Sequence, residues 1–415
     1  MKRVVITGMG VISPLGNNVQ TFWEALRTGQ SGIKKIRSFD CSNQKTQIAG
    51  TIENFDGAEI FSKKEVKKLD RFTQFALAAA EQALADSHLD LELIDPERIG
   101  VYVGSGIGGL QTLIDNVQTL NERGPNRVSP NLVPMMISNA AAAQISIRLK
   151  AEGPSLSPVT ACSIGNTAIG EAFNSIRNND ADIIFSGGAE AAISPLSLAS
   201  FSNAKALSTN NTAPHLASRP FDSQRDGFVM SEGAGILVLE SLEHAKSRNA
   251  PIYGEIIGYG ASSDAYHMVA SHPEGKGAYT AMKKAIASAN ISPHDIDIIS
   301  AHATSTPVGD RSETLAIKKL FGETAYQIPV TANKSMLGHM LGASGGVEAI
   351  ALIKSLIEGI IPPTINLQLP DAECDLDYVA NKARPSSHLT IGISNSFGFG
   401  GHNSSIILKK YKQTK

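Results

Sequence analysis

Four stretches of the chain carry residue types that do chemistry. In Val159-Thr160-Ala161-Cys162-Ser163-Ile164-Gly165-Asn166 a cysteine follows β-branched residues and precedes an apolar-periodic run from Thr167 to Arg177. The pattern reads as an extended segment turning sharply into a buried helix. A thiol at the first turn of such a helix faces unpaired backbone N–H groups and the positive end of the macrodipole, both of which favour thiolate. Cys162 is therefore a candidate nucleophile, although a lone cysteine in an apolar setting is more often a small inert core residue. Ser300-Ala301-His302-Ala303-Thr304-Ser305-Thr306-Pro307 puts His302 at the end of a strand, and Asn333-Lys334-Ser335-Met336-Leu337-Gly338-His339 puts His339 at a glycine-lined turn close to Lys334. The fourth stretch, Ser394-Asn395-Ser396-Phe397-Gly398-Phe399-Gly400-Gly401, sets two phenylalanines among glycines. A thiol and two imidazoles are the side chains of covalent and proton-transfer catalysis.

The elements that must position these groups alternate. Strand-like runs fall at Arg3–Thr7, Ile99–Val103, Ile183–Ser186, Gly235–Glu240, Tyr253–Gly260, Ile296–Ala301 and Ser404–Lys409, while Asp70–Ser87 puts Phe72, Phe75, Ala76, Ala79 and Ala83 on one helical face. That alternation is α/β architecture. Sliding the chain by 177 positions lays Cys162 on His339, Gly165 on Gly342 and Glu171 on Glu348, which reads as two helices of one design starting at Cys162 and at His339. Duplicated halves, 1–250 and 251–415, would meet at a pseudo-twofold centre and bring cysteine and histidine together. The glycine cluster Gly104-Ser105-Gly106-Ile107-Gly108-Gly109 has the wrong spacing for a dinucleotide fingerprint and reads as a tight turn at a strand end.

Composition narrows the class. The 415 residues are 42% hydrophobic and 18% charged, enough to bury a large core, and a net charge of −2 gives no bulk field towards nucleic acid or an anionic membrane. Cys41, Cys162 and Cys374 lack the paired spacing of a zinc site or disulfide framework, so no metal site is expected and the compartment reads as reducing. Gly8, Gly10, Pro14 and Gly16 interrupt the apolar start too early for a signal peptide, and no run approaches the ~20 residues that span a bilayer. A soluble cytoplasmic protein is the expectation. Of the ten histidines, His88, His215, His244, His272, His294 and His388 lie in polar stretches and read as surface residues.

From Val4 to Lys410 the chain resembles the elongating β-ketoacyl-acyl-carrier-protein synthases, most of all the type II enzymes of bacterial fatty-acid synthesis. The likeness rests on the four stretches above and on Gly188-Ala189-Glu190, Ala206-Leu207-Ser208-Thr209, Arg219-Pro220-Phe221-Asp222, Arg225-Asp226-Gly227-Phe228 and Ser262-Ser263-Asp264-Ala265-Tyr266-His267. It implies a thiolase-like fold, duplicated α/β halves in five layers (α-β-α-β-α), working as a homodimer without a required cofactor. It implies acyl transfer from carrier protein to Cys162, then decarboxylation of malonyl-carrier and attack of its carbanion on the acyl-enzyme. The backbone N–H groups of Cys162 and Phe399 would hold the oxyanion, and His302 and His339 would stabilise the enolate. Glu348 would pair with Lys334. Ile107 and Phe397 would line the acyl pocket, Thr304 and Thr306 would bind the pantetheine arm, and Phe399 would gate it. Glu348, Ser394 and Asn395 match positions near a monovalent cation found in some members, with Ser300 where the family usually has asparagine; Ala303 and His402 replace a glycine and a threonine.

The acyl carrier protein is acidic, and Lys63, Lys64, Lys67, Lys68 and Arg71 fall at helical spacing. Lys64, Lys68 and Lys205 are the expected docking residues. Related readings are a polyketide-type ketosynthase and a non-catalytic partner resembling chain-length factors, which usually lack the nucleophile. A cysteine hydrolase is a third reading and would not decarboxylate malonyl-carrier. Cys374, in the acidic loop Asp371 to Asp375, reads as a bystander.

Overall fold

The computed structural model describes residues 1–412. Ten strands form one hydrogen-bonded run: β1 (Val4–Ile12), β2 (Ile99–Gly104), β3 (Ser155–Leu156), β4 (Ile183–Glu190), β5 (Gly233–Ser241), β6 (Gly254–Ser263), β7 (Ile298–Ser300), β8 (Val330–Thr331), β9 (Ile391–Gly398) and β10 (His402–Lys410). Their order is β8-β7-β9-β10-β6-β1-β5-β4-β2-β3. From the centre outward both wings repeat one scheme. β1 pairs antiparallel with β5, β5 antiparallel with β4, and β4 parallel with β2, which is parallel to β3; β6, β10, β9, β7 and β8 follow the same sequence of directions. The wings join where Val4, Val5 and Ile6 pair with Ile256, Glu255 and Gly254.

Burial explains the layering. Helices Ile164–Arg177 and Ser344–Glu358 are buried on most of their surface and share one core with residues of both wings, among them Ile6, Leu237, Ile256, Ile298 and Ile406. Helix Arg71–Ser87 covers the outer face of the first wing with helix Ala140–Leu149, and helices Lys276–Ala289 and Pro307–Phe321 cover the second. The result is the five-layered arrangement that the resemblance implies. Among the described residues no helix is long and apolar enough to cross a membrane.

The central helices touch backbone to backbone. A Cβ on Gly165 would lie 2.5 Å from the Gly346 nitrogen, and one on Gly345 would lie 2.5 Å from the Asn166 nitrogen. This reciprocity locates the pseudo-twofold and corrects the repeat read from sequence. Each helix is preceded by a short 3-10 turn, Ala161–Ser163 in one half and Leu341–Ala343 in the other, and both turns open on a non-glycine residue with positive φ, Ala161 at 50° and Leu341 at 47°. The true offset is 180, so Cys162 corresponds to Gly342; His339 sits just before its helix rather than at its start. Glu171 and Glu348 are not equivalent.

Two further expectations change. Lys63–Val66 is a single helical turn closed by a Ser62–Glu65 capping box, and Asp70 caps a new helix from Arg71, so Lys64, Lys67, Lys68 and Arg71, expected on one helix face, do not share one. His244 is half-buried, with Nδ1 2.5 Å from the buried Glu240 carboxylate, and His272 is half-buried too. If the glycine contact fixes the helix crossing, Gly165→Ala will lower the free energy of unfolding by about 1–3 kcal/mol, the usual cost of overpacking. An unchanged urea midpoint and slope would show that the helices can part without cost.

Candidate active site

A cavity of about 580 Å³ opens at the meeting point of the central helix starts. Cys162, His302, His339, Ile107, Thr304, Thr306, Phe397, Phe399 and Lys205 all line it. Lys334 and Glu348 lie behind it, and Lys64 and Lys68 are not part of its wall.

Cys162 is held by the turn that begins at Ala161 and faces the backbone N–H groups of Cys162 and Phe399. The approach is close, because a Cβ on Gly398 would lie 2.9 Å from the Cys162 nitrogen. These are the two donors expected of an oxyanion hole. The thiol itself departs from expectation. Burial pushes it up to about 12, against the downward pull of Lys334 and the two N–H groups. The resting group is therefore a neutral thiol, because desolvation outweighs the favourable end of the helix.

His302 and His339 meet nearly edge to face, with ring centroids 5.5 Å apart at 88°. Burial and the nearby Lys334 charge push both imidazoles well below their ordinary value, so both are neutral. The His302 turn hangs on one carboxylate: Glu313 accepts the His302 N–H at 2.9 Å, the Ala303 N–H at 2.8 Å and the Asn395 amide at 3.2 Å. That grip holds Ala303 at a φ of 33°, left-handed backbone where glycine would sit without strain. His339 is strung between Val229 and Ser231, donating its N–H to the Val229 carbonyl at 2.7 Å and accepting the Ser231 N–H at 2.9 Å. Phe228 packs edge-on against its ring at 5.3 Å and Phe397 lies 5.6 Å from His302.

Lys334 and Glu348 form a 2.5 Å pair in which both side chains are buried. Burial raises the Glu348 carboxyl and the ammonium beside it opposes that rise. The second Glu348 oxygen has no partner, nor have the hydroxyls of Ser300 and Ser394, which are cross-strand neighbours in β7 and β9. Buried orphan oxygens of this type suit a hard cation, even with serine in place of asparagine. Among the described residues no group of three His, Cys, Asp or Glu side chains is placed to hold a metal ion.

Thr304 and Thr306 bring their hydroxyls to 3.0 Å of each other on one wall, and Phe399 tilts towards Phe201 at 6.2 Å. Glu190, like Glu313, has a role that sequence reasoning missed. Fully buried, it accepts the Ser105 hydroxyl at 2.8 Å and the N–H groups of Gly106 at 2.9 Å, Ile107 at 3.2 Å and Gly342 at 3.1 Å. A carboxylate ending an otherwise apolar strand was the available signal.

The family models described as β-ketoacyl synthase, N-terminal domain, and β-ketoacyl synthase, C-terminal domain, match residues 1–245 and 253–368. The chain is 48% identical over 411 residues to a 3-oxoacyl-[acyl-carrier-protein] synthase 2 of Synechocystis sp. and 49% identical over 411 residues to one of Staphylococcus aureus, in each case across 99% of both chains. A β-ketoacyl synthase from Burkholderia phymatum superposes with a TM-score of 0.92 at 35% identity, covering 99% of this chain and 100% of that one. A type II polyketide ketosynthase solved with its acyl-carrier protein does so at 0.92 and 34%, with the same coverage.

The buried thiol has a measurable signature. Thiolate is the reacting form, so alkylation of Cys162 by iodoacetamide will accelerate about tenfold per pH unit between about pH 7 and pH 10. A plateau below about pH 8 would mean that the resting group is already ionised.

Proposed function

The chain belongs to the β-ketoacyl synthase family, and from that membership we propose that it is an elongating 3-oxoacyl-[acyl-carrier-protein] synthase that extends fatty-acyl chains by two carbons. The observation that carries this reading is the convergence on one cavity of a thiol, two backbone N–H donors and two neutral imidazoles.

In the acylation step the Cys162 sulfur attacks the thioester carbon. The S–H proton passes to a neutral imidazole and then to the departing thiolate of the carrier arm. The N–H groups of Cys162 and Phe399 hold the oxyanion as it forms, having been fixed in place beforehand by the turn at Ala161 and by β9. Malonyl-carrier then enters and loses carbon dioxide. The enolate that develops on its thioester oxygen accepts hydrogen bonds from His302 and His339, and its carbon attacks the acyl-enzyme to release Cys162. Burial, with the Lys334 charge, keeps both imidazoles unprotonated, so they act as neutral donors, and Glu348 compensates that charge. A monovalent cation on the orphan oxygens of Ser300, Ser394 and Glu348 would stiffen the β7–β9 floor beneath His302.

The partner in this reading is acyl carrier protein, met at the Lys205 end of the cavity, with Lys64 and Lys68 as a separate exposed basic segment. A second copy of the chain is the other partner. β3 is an edge strand of the sheet, and Leu156, Val159, Ile147, Val133 and Ile137 expose apolar side chains on or near that flank, a surface that an added copy would cover. Three unpaired cysteines suit a reducing cytoplasm. The presence of Cys162 disfavours a chain-length-factor-like subunit.

The deciding experiment supplies acyl- and malonyl-carrier protein to Cys162→Ala. Elongation will fall to background while malonyl decarboxylation persists, because the imidazoles, not the thiol, face the enolate. Full elongation by this variant would remove Cys162 as nucleophile, and thioester hydrolysis by the wild type without decarboxylation would make the protein a hydrolase. Ile107→Phe will narrow the acyl pocket and shift products towards short chains by about tenfold to a hundredfold, read by mass across a chain-length series. An unchanged product profile would place the acyl channel elsewhere.

A further inference from the structure

The two imidazoles are held differently at Nδ1. His302 Nδ1 is buried without a hydrogen-bond partner, whereas His339 Nδ1 lies 3.1 Å from the hydroxyl oxygen of Ser344. That oxygen also accepts the backbone N–H of Met340 at 3.0 Å. Ser344 is fully buried, and among the described residues its hydroxyl proton has no acceptor other than His339 Nδ1. A proton on Nδ1 would leave that hydroxyl proton enclosed and unpaired, a costly arrangement in a dry interior. The duplicated fold does not itself call for a hydroxyl here, because the equivalent first residue of the other central helix is Ile164.

We propose that Ser344 is a positioning residue that fixes His339 as the Nε2–H tautomer, making it a permanent hydrogen-bond donor to the cavity. This rests on the reading of His339 as an enolate donor and adds a division of labour. A His339 ring locked with its proton on Nε2 cannot take a proton there from Cys162. His302 Nδ1 is unpaired with or without its proton, so no hydrogen bond selects one tautomer, and this ring accepts the thiol proton as the sulfur–carbon bond forms and returns it to the leaving thiolate. In the decarboxylation step it turns donor again. The burial that keeps both rings neutral makes tautomer, rather than charge, the property that distinguishes them.

The full-length enzyme with ring-15N histidine tests this directly, the His339 signals being assigned by their loss in His339→Ala. The wild type will show His339 protonated on Nε2 alone. Ser344→Ala will show two tautomers, and its kcat for decarboxylation of malonyl-carrier protein will fall about fivefold with KM unchanged, the loss of one hydrogen bond's worth of orientation. A wild-type Nδ1–H signal, or a Ser344→Ala spectrum unchanged from wild type, overturns the proposal whatever the activity. Full decarboxylation by His339→Ala would overturn the enolate-donor reading while leaving the tautomer assignment standing.

Discussion

The contact between Gly165 and Gly345 sets what the rest of the molecule can do. Two helices whose backbones touch at their first turns must present those turns to the same small volume, and each turn carries part of the site. Cys162 precedes one helix and the His339 segment precedes the other. No side chain fits between the helices, so the separation of thiol and imidazole is fixed by backbone packing rather than by rotamers. That matters for chemistry in which an ångström of misplacement costs orders of magnitude in rate. The two wings of the sheet, joined by three residue pairs, are held against this crossing from opposite sides.

Burial at the crossing dictates the electrostatics. Burial penalises every charge here, and the site answers with one compensated cation, Lys334 against Glu348, with the carboxyl groups of Glu190 and Glu313 wrapped in hydrogen-bond donors, and with neutral groups facing the cavity. The same desolvation that lowers both imidazoles raises the Cys162 thiol, so the resting site holds a protonated nucleophile next to unprotonated acceptors. Charge appears only as bonds change, and fixed N–H dipoles wait where it will appear. Preorganisation of this kind does its work without reorienting solvent.

Much of this was legible in the sequence, and the gaps have physical reasons. Strands of alternating or continuous apolar residues, such as Ile99–Val103 and Ile183–Ser186, were visible because their pattern survives without context. β9 was not, since Ser394, Asn395 and Ser396 are polar residues that main-chain pairing with β10 and β7, not hydrophobicity, places inside the sheet. β3 and β8 have two residues each, too short for any period. The internal repeat was detectable but misaligned by three positions. Matching side chains aligned Cys162 with His339, whereas the fold repeats the turn at Ala161 and Leu341, where backbone dihedrals rather than residue types are duplicated. The basic segment from Lys63 to Arg71 looked like one helix because spacing alone carries no sign of the cap that Asp70 makes. Cys162, His302 and His339 stood out because thiols and imidazoles are chemically restrictive, and the residues of the cavity wall because of the family resemblance; the carboxylates behind them did not, because Glu190 and Glu313 act largely through backbone N–H groups that every sequence possesses.

Those carboxylates show how the separate parts become one site. Glu190 accepts hydrogen bonds from Gly106 and Ile107 on the wall of the cavity and from Gly342 on the turn that follows His339. One buried carboxyl group thus ties the Ile107 wall of the cavity to the turn that follows His339. Displacing Ile107 with a chain that fits badly pulls on the same carboxylate that steadies the Gly342 turn, and buried hydrogen-bonded networks of this kind yield together rather than bond by bond. If Ile107 lines the acyl pocket as proposed, selectivity for the chain and alignment of His339 are therefore not independent properties. A change at the pocket wall acts on both, and the rate of condensation registers the sum.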